Sequence, residues 1–75
     1  KGIFVQTGAF STLRNAKNSS EKIQKFGDVQ IEESKANDKN IYRVLLGPFP
    51  STTSASQVVK KVKSAGHDAI IVRKD

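Results

Sequence analysis

No cysteine occurs in the 75 residues, which excludes disulfides, thiolate metal sites and a thiol nucleophile. No apolar run is long enough to span a bilayer as a helix, and no signal peptide is evident. The chain opens on Lys1 without a methionine and reads as one domain, residues 1–75, excised from a larger protein. The single histidine, His67, adjoins Gly66 and reads as a turn residue rather than a catalyst or metal ligand. Glu32 and Glu33 are adjacent on a strand, so they point to opposite faces and cannot cooperate as a carboxylate pair. Gly8-Ala9-Phe10 and Gly47-Pro48-Phe49 lack the several glycines of a phosphate-cradling loop. The expectation is a non-catalytic chain with no cofactor and no metal.

Charge is abundant by contrast. The formal balance is +6, which raises nucleic acid or another polyanion as a partner. Lys17, Lys22, Lys25, Lys60, Lys61 and Lys63, however, fall in two helical stretches, mostly facing away from the apolar stripe. They read as solvated helix backs.

An internal echo is also present. Displaced by 39 positions, Val5 meets Val44, Gly8 meets Gly47, Phe10 meets Phe49 and Ala16 meets Ala55. Lys22 meets Lys61, Ile23 meets Val62, Gly27 meets Gly66 and Ile31 meets Ile70. Most matches are glycines and apolar residues, which set turns and core contacts, so two similar βαβ halves are expected.

The first strand covers Ile3 to Phe10, with Val5 and Thr7 on one face and Phe4, Gln6 and Gly8 on the other. Ser11 or Thr12 caps a helix whose apolar spacing runs through Leu13, Ala16, Ser20 and Ile23 to a stop at Gly27. A second strand spans Asp28 to Ser34, with Val29 and Ile31 inward. Lys35 to Asn40 reads as a hairpin loop, and Ile41 to Gly47 as the third strand. There Tyr42, Val44 and Leu46 share one face, and Ile41, Arg43 and Leu45 the other. Gly47-Pro48-Phe49-Pro50 reads as irregular. A second helix begins near Thr52, with Ala55, Val58, Val59, Val62 and Ala65 as its stripe, and stops at Gly66. The last strand is Ala69 to Arg73, with Ile70 and Val72 inward.

The fold class is therefore α+β, in the split β-α-β-β-α-β order of ferredoxin-like and RNP-like domains. Right-handed crossovers put both helices on one face of a four-stranded antiparallel sheet, with the first and third strands central. The uncovered face is expected to carry Phe4, Gln6 and Gly8 beside Ile41, Arg43 and Leu45. Ala69, Ile71 and Arg73 extend one edge of it, and Gln30 and Glu32 the other. Such a face, apolar but bearing an amide and a guanidinium, suits a ligand with alternating apolar and hydrogen-bonding surfaces. Arg43 can bind a carboxylate or phosphate, or pair with Glu32; both readings stand. Phe49 plugs an end of the core, whereas strand parity puts Phe10 on the open face. The halves disagree at Gln6 against Leu45, Phe4 against Arg43 and Glu32 against Ile71, all expected on that face.

The junctions Phe4-Val5-Gln6-Thr7-Gly8-Ala9-Phe10 and Tyr42-Arg43-Val44-Leu45-Leu46-Gly47-Pro48-Phe49, at this separation, resemble those of the SPOR (sporulation-related repeat) domain. The likeness runs from about Ile3 to Arg73. It implies a bacterial cell-envelope or periplasmic module that binds peptidoglycan glycan strands, particularly denuded strands at the division septum. It also implies a parent such as a division protein, a cell-wall amidase or a protein of the rare lipoprotein A type. The family's binding surface is the open face, with its first-strand glutamine at Gln6 and the small residue after the glycine at Ala9. Its third-strand aromatic or apolar position falls at Ile41, its arginine at Arg43 and its last-strand apolar position at Ile71. Two departures are Ala9, serine in many members, and Ile41, which is not aromatic.

The implied glycan-binding set is Phe4, Gln6, Gly8, Ala9, Phe10, Ile41, Arg43, Leu45, Ile71 and Arg73. Apolar sugar faces and N-acetyl methyls would lie on Phe4, Ile41 and Ile71. Arg43, supported by Arg73, would take the lactyl carboxylate that stem-peptide removal frees. The expected partner is the glycan strand, bound by a monomer without membrane insertion and without nucleic acid. Rivals are an RRM-like nucleic-acid module, which would need a third-strand aromatic on the open face, and a protein-interaction domain.

Overall fold

The computed structural model describes residues 2–74. Its order is β1 (Gly2–Phe10), α1 (Leu13–Ile23), a 3₁₀ turn (Gln24–Phe26), β2 (Val29–Ala36), β3 (Lys39–Phe49), α2 (Thr52–Ser64) and β4 (Ile70–Lys74). The strands form one antiparallel sheet in the order β2-β3-β1-β4, the topology expected. Helix α1 packs across β1, β2 and β3, and α2 across β1, β3 and β4. Among the described residues no helix is long and apolar enough to cross a membrane.

The helices begin where their caps dictate. Thr12 Oγ1 accepts from Asn15 N–H at 3.2 Å, and Ser51 Oγ accepts from Ser54 N–H at 3.1 Å. Each satisfies a donor that the first turn would otherwise leave unpaired. Small residues at the helix–sheet contact, Ala16 and Ala55, let the helices sit close. They pack with Val5, Ile23, Val44, Leu46, Val62 and Ala69 into one buried cluster. Burial of each larger side chain contributes about 1.5–3 kcal/mol, so this cluster carries most of the stability. Leu13 is not part of it: at 42% exposure it lies off the stripe to which its spacing assigns it.

Three departures from the sequence expectation shape the sheet. The hairpin loop is only Asn37-Asp38, both at positive φ (52° and 64°), so β2 and β3 run to Ala36 and Lys39. Strand β3 also continues through Gly47 and Pro48 to Phe49, which pairs with Ile3. It can do so because the register slips there: between Val5↔Leu46 and Ile3↔Phe49, β3 contributes one extra residue. Gly47 N–H donates to Asp28 C=O at 3.0 Å, which carries the β2–β3 pairing one residue beyond Val29↔Leu46. A second bulge lies in β1. Gln6 faces Leu45 but Gly8 faces Val44, which leaves Thr7 as the extra residue.

Candidate functional site

Residues directly opposite on antiparallel strands project from the same side, so the register defines the uncovered face. One row across it is Gln30, Leu45, Gln6 and Ile70. The next is Glu32, Arg43 and Ala9, followed by Ser34 and Ile41. Of the expected residues, Gln6, Ala9, Ile41 and Arg43 come together on this surface. Phe4 and Leu45 belong to the same face but lie beneath it, at 5% and 2% exposure. The Phe4 ring packs on the glycine backbone of the β3 bulge, where a Cβ on Gly47 would lie 3.1 Å from Phe4 Cδ1. Phe4 is floor, and the sugar-stacking role expected of it has no free ring surface.

Four expected residues lie on the other side. The Thr7 bulge reverses parity for the rest of β1, because one inserted residue exchanges the two faces. Gly8 therefore stands opposite core residue Val44, and Phe10 opposite Tyr42, packed against the core. Gly8 is needed for that arrangement, since a Cβ there would approach two Phe10 ring carbons to 2.9 Å. On β4, Ile71 pairs with buried Val5 and Arg73 with Ile3, which places both on the helix side. Ile70 and Val72, expected inward, take the open face instead, Ile70 at 58% exposure. Buried Ala69 sets that parity by packing into the core as the strand begins. Arg73 is accordingly not beside Arg43.

The electrostatics centre on Arg43. Its guanidinium is half-buried and Nη1 donates to Ser34 Oγ at 2.6 Å. Glu32, directly across the ladder, is ion-paired with Lys74. Among the described residues Arg43 has no carboxylate within ion-pair distance. The cross-strand salt bridge left open by the sequence is thus not formed, and among the described residues the fork's side-chain hydrogen bond is the one to Ser34.

Beyond Arg43 the face runs into an open depression of about 470 Å³, where β1 ends and the hairpin turns. Ala9, Phe10, Ala36 and Ile41 give it apolar walls, while Ser11, Asn37, Asn40 and Lys39 bring polar groups. Phe10, though turned to the helices, reaches it at the strand end. Sequence reasoning missed Ser34 and the hairpin residues. Ser34 was discoverable, since it shares parity with Glu32. The hairpin was hidden by treating Lys35 to Asn40 as loop, when a two-residue turn at Asn37-Asp38 keeps Ala36 and Lys39 in register. Among the described residues no group of three His, Cys, Asp or Glu side chains could hold a metal ion.

Comparison with known proteins bears on this arrangement. The SPOR domain of RlpA from Pseudomonas aeruginosa superposes with a TM-score of 0.88 at 26% identity, covering 97% of this chain and 100% of that one. The peptidoglycan-binding domain of the Bacillus subtilis cell wall lytic enzyme CwlC superposes with a TM-score of 0.76 at 28% identity, covering 100% and 92%. No curated protein matches the chain. The sequence profile of the SPOR domain matches residues 1–73, and with that match over almost its whole length the chain belongs to the SPOR domain family.

Proposed function

We propose that this chain binds peptidoglycan glycan strands on its open face, prefers strands stripped of stem peptides, and thereby directs a parent protein to the division septum. Membership of a peptidoglycan-binding, non-catalytic family supports the binding and a cell-envelope location. The observation that carries the finer reading is Arg43: a half-buried guanidinium on an uncovered face, braced by Ser34 and without a carboxylate partner among the described residues. Removing a stem peptide exposes the lactyl carboxylate of muramic acid, and a carboxylate is the group that a guanidinium fork bonds best. Ala9 and Ile41 flank Arg43 with small and apolar surface on which a sugar ring or N-acetyl methyl can rest. Gln6 supplies an amide for hydroxyls and acetamido groups. All these residues come from one copy, so a monomer suffices.

An RRM-like use of the sheet finds no aromatic platform. Phe4 is buried and Tyr42 faces the helices. Co-sedimentation with purified sacculi, before and after amidase digestion, tests the proposal. Stronger retention on digested sacculi is expected, and equal retention on both would contradict the preference for denuded strands.

A further inference from the structure

Arg43 and Glu32 stand directly opposite each other on neighbouring strands of the open face. Oppositely charged cross-strand neighbours attract and ordinarily pair. Here each is engaged elsewhere: Glu32 with Lys74, and Arg43 through Nη1 with Ser34 Oγ. Lys74 reaches Glu32 from β4, the opposite edge of the sheet. The diagonal between them runs over Phe4 and Leu45, the two side chains of the uncovered face that are almost fully buried.

We propose that Lys74 and Ser34 are positioning residues that hold Arg43 open for an anionic ligand. Among the described residues, Lys74 occupies the carboxylate that stands directly opposite the guanidinium and could compete for it. Ser34, beside Ile41 on the ladder, turns the fork away from Glu32 and towards the depression at the hairpin. Neither residue has to touch the ligand. This rests on the reading of Arg43 as the carboxylate-binding group, and it adds how that group is kept available. An unpaired Glu32 would act as an internal inhibitor, because a fraction of molecules would have the guanidinium already engaged.

The test combines Lys74→Gln, Glu32→Gln and Arg43→Gln with two readouts. One is affinity for soluble denuded glycan chains from amidase-digested sacculi. The other is the Arg43 Nε–H resonance in the free protein. Lys74→Gln is expected to weaken binding roughly two- to sixfold, the range in which an exposed ion pair competes for one group. It is also expected to shift the Arg43 resonance. Adding Glu32→Gln should restore both. In an Arg43→Gln background Lys74→Gln should have no further effect, which separates positioning from direct contact or general charge loss. An unmoved resonance in Lys74→Gln would overturn the proposal, as would equal weakening with and without Arg43. If Arg43→Gln binds glycan as tightly as the parent, the carboxylate reading fails, and the resonance still decides whether Lys74 keeps Glu32 away.

Discussion

At the scale of single residues, Arg43 and Gly47 show how function and fold divide the same strand. Arg43 bonds to the protein through one side-chain contact, so its replacement leaves the core untouched. Arg43→Gln should weaken denuded-glycan binding about tenfold, the loss of one charge-assisted hydrogen bond at a partly exposed site, while the melting temperature stays near that of the parent. Gly47 is the opposite case. Its φ is +130°, and an added Cβ would meet Ile3 C=O at 3.0 Å as well as the Phe4 ring. Gly47→Ala should therefore cost about 1–3 kcal/mol in denaturant unfolding, with the backbone conformation itself contributing. An unchanged denaturation midpoint would show that the β3 bulge relaxes without strain.

At the scale of elements, what the sequence made legible was whatever depends on local pattern. Alternation at Val29, Ile31, Tyr42, Val44 and Leu46 placed β2 and β3 on the correct faces, and a hydroxyl cap placed the start of α1. Ser51→Ala should lower stability by about 1 kcal/mol, seen as a fall of several degrees in melting temperature. The errors share a different cause. Period-2 reasoning assumes an unbroken ladder, and one extra residue at Thr7 moved Gly8 and Phe10 to the helix side. The internal repeat held the missing signal: Phe10 corresponds to Phe49, and both pack against the core. Gly8 likewise corresponds to Gly47, and each adjoins a bulge. On β4 the adjacent pair Ile70-Ile71 gave alternation nothing to choose between, and only the burial of Ala69 decided it. Of the candidate site, Gln6, Ile41 and Arg43 were legible from parity, and Ala9 from the resemblance alone, since unbroken alternation would have set it with Val5 and Thr7. Ser34 shares the parity of Glu32 and was within reach of the same reasoning. Lys74 was not, because a side-chain bond across the sheet leaves no periodic trace.

At the scale of the whole molecule, the two faces differ in charge as well as in cover. The helices and the 3₁₀ turn carry Arg14, Lys17, Lys22, Lys25, Lys60, Lys61 and Lys63 against Glu21 alone, which accounts for the entire +6 excess. The strands and loops balance. Exposed lysines far from the open face act on a ligand there only through screened, long-range attraction. Neutralising Lys60, Lys61 and Lys63 together should thus change denuded-glycan affinity by less than about twofold at physiological ionic strength, measured by the same titration. The scaffold itself has little reserve. Ile23→Ala opens a cavity in the one buried cluster and should cost about 2–5 kcal/mol, a large share of the stability of so small a domain. The central claim is that the uncovered sheet face is where the glycan lies. Titrating soluble denuded glycan chains into the ¹⁵N-labelled domain tests it most directly. Backbone shifts should cluster at Gln6, Ala9, Ile41, Arg43 and the 36–40 hairpin while α1 and α2 stay silent; shifts centred on the helices would contradict the account.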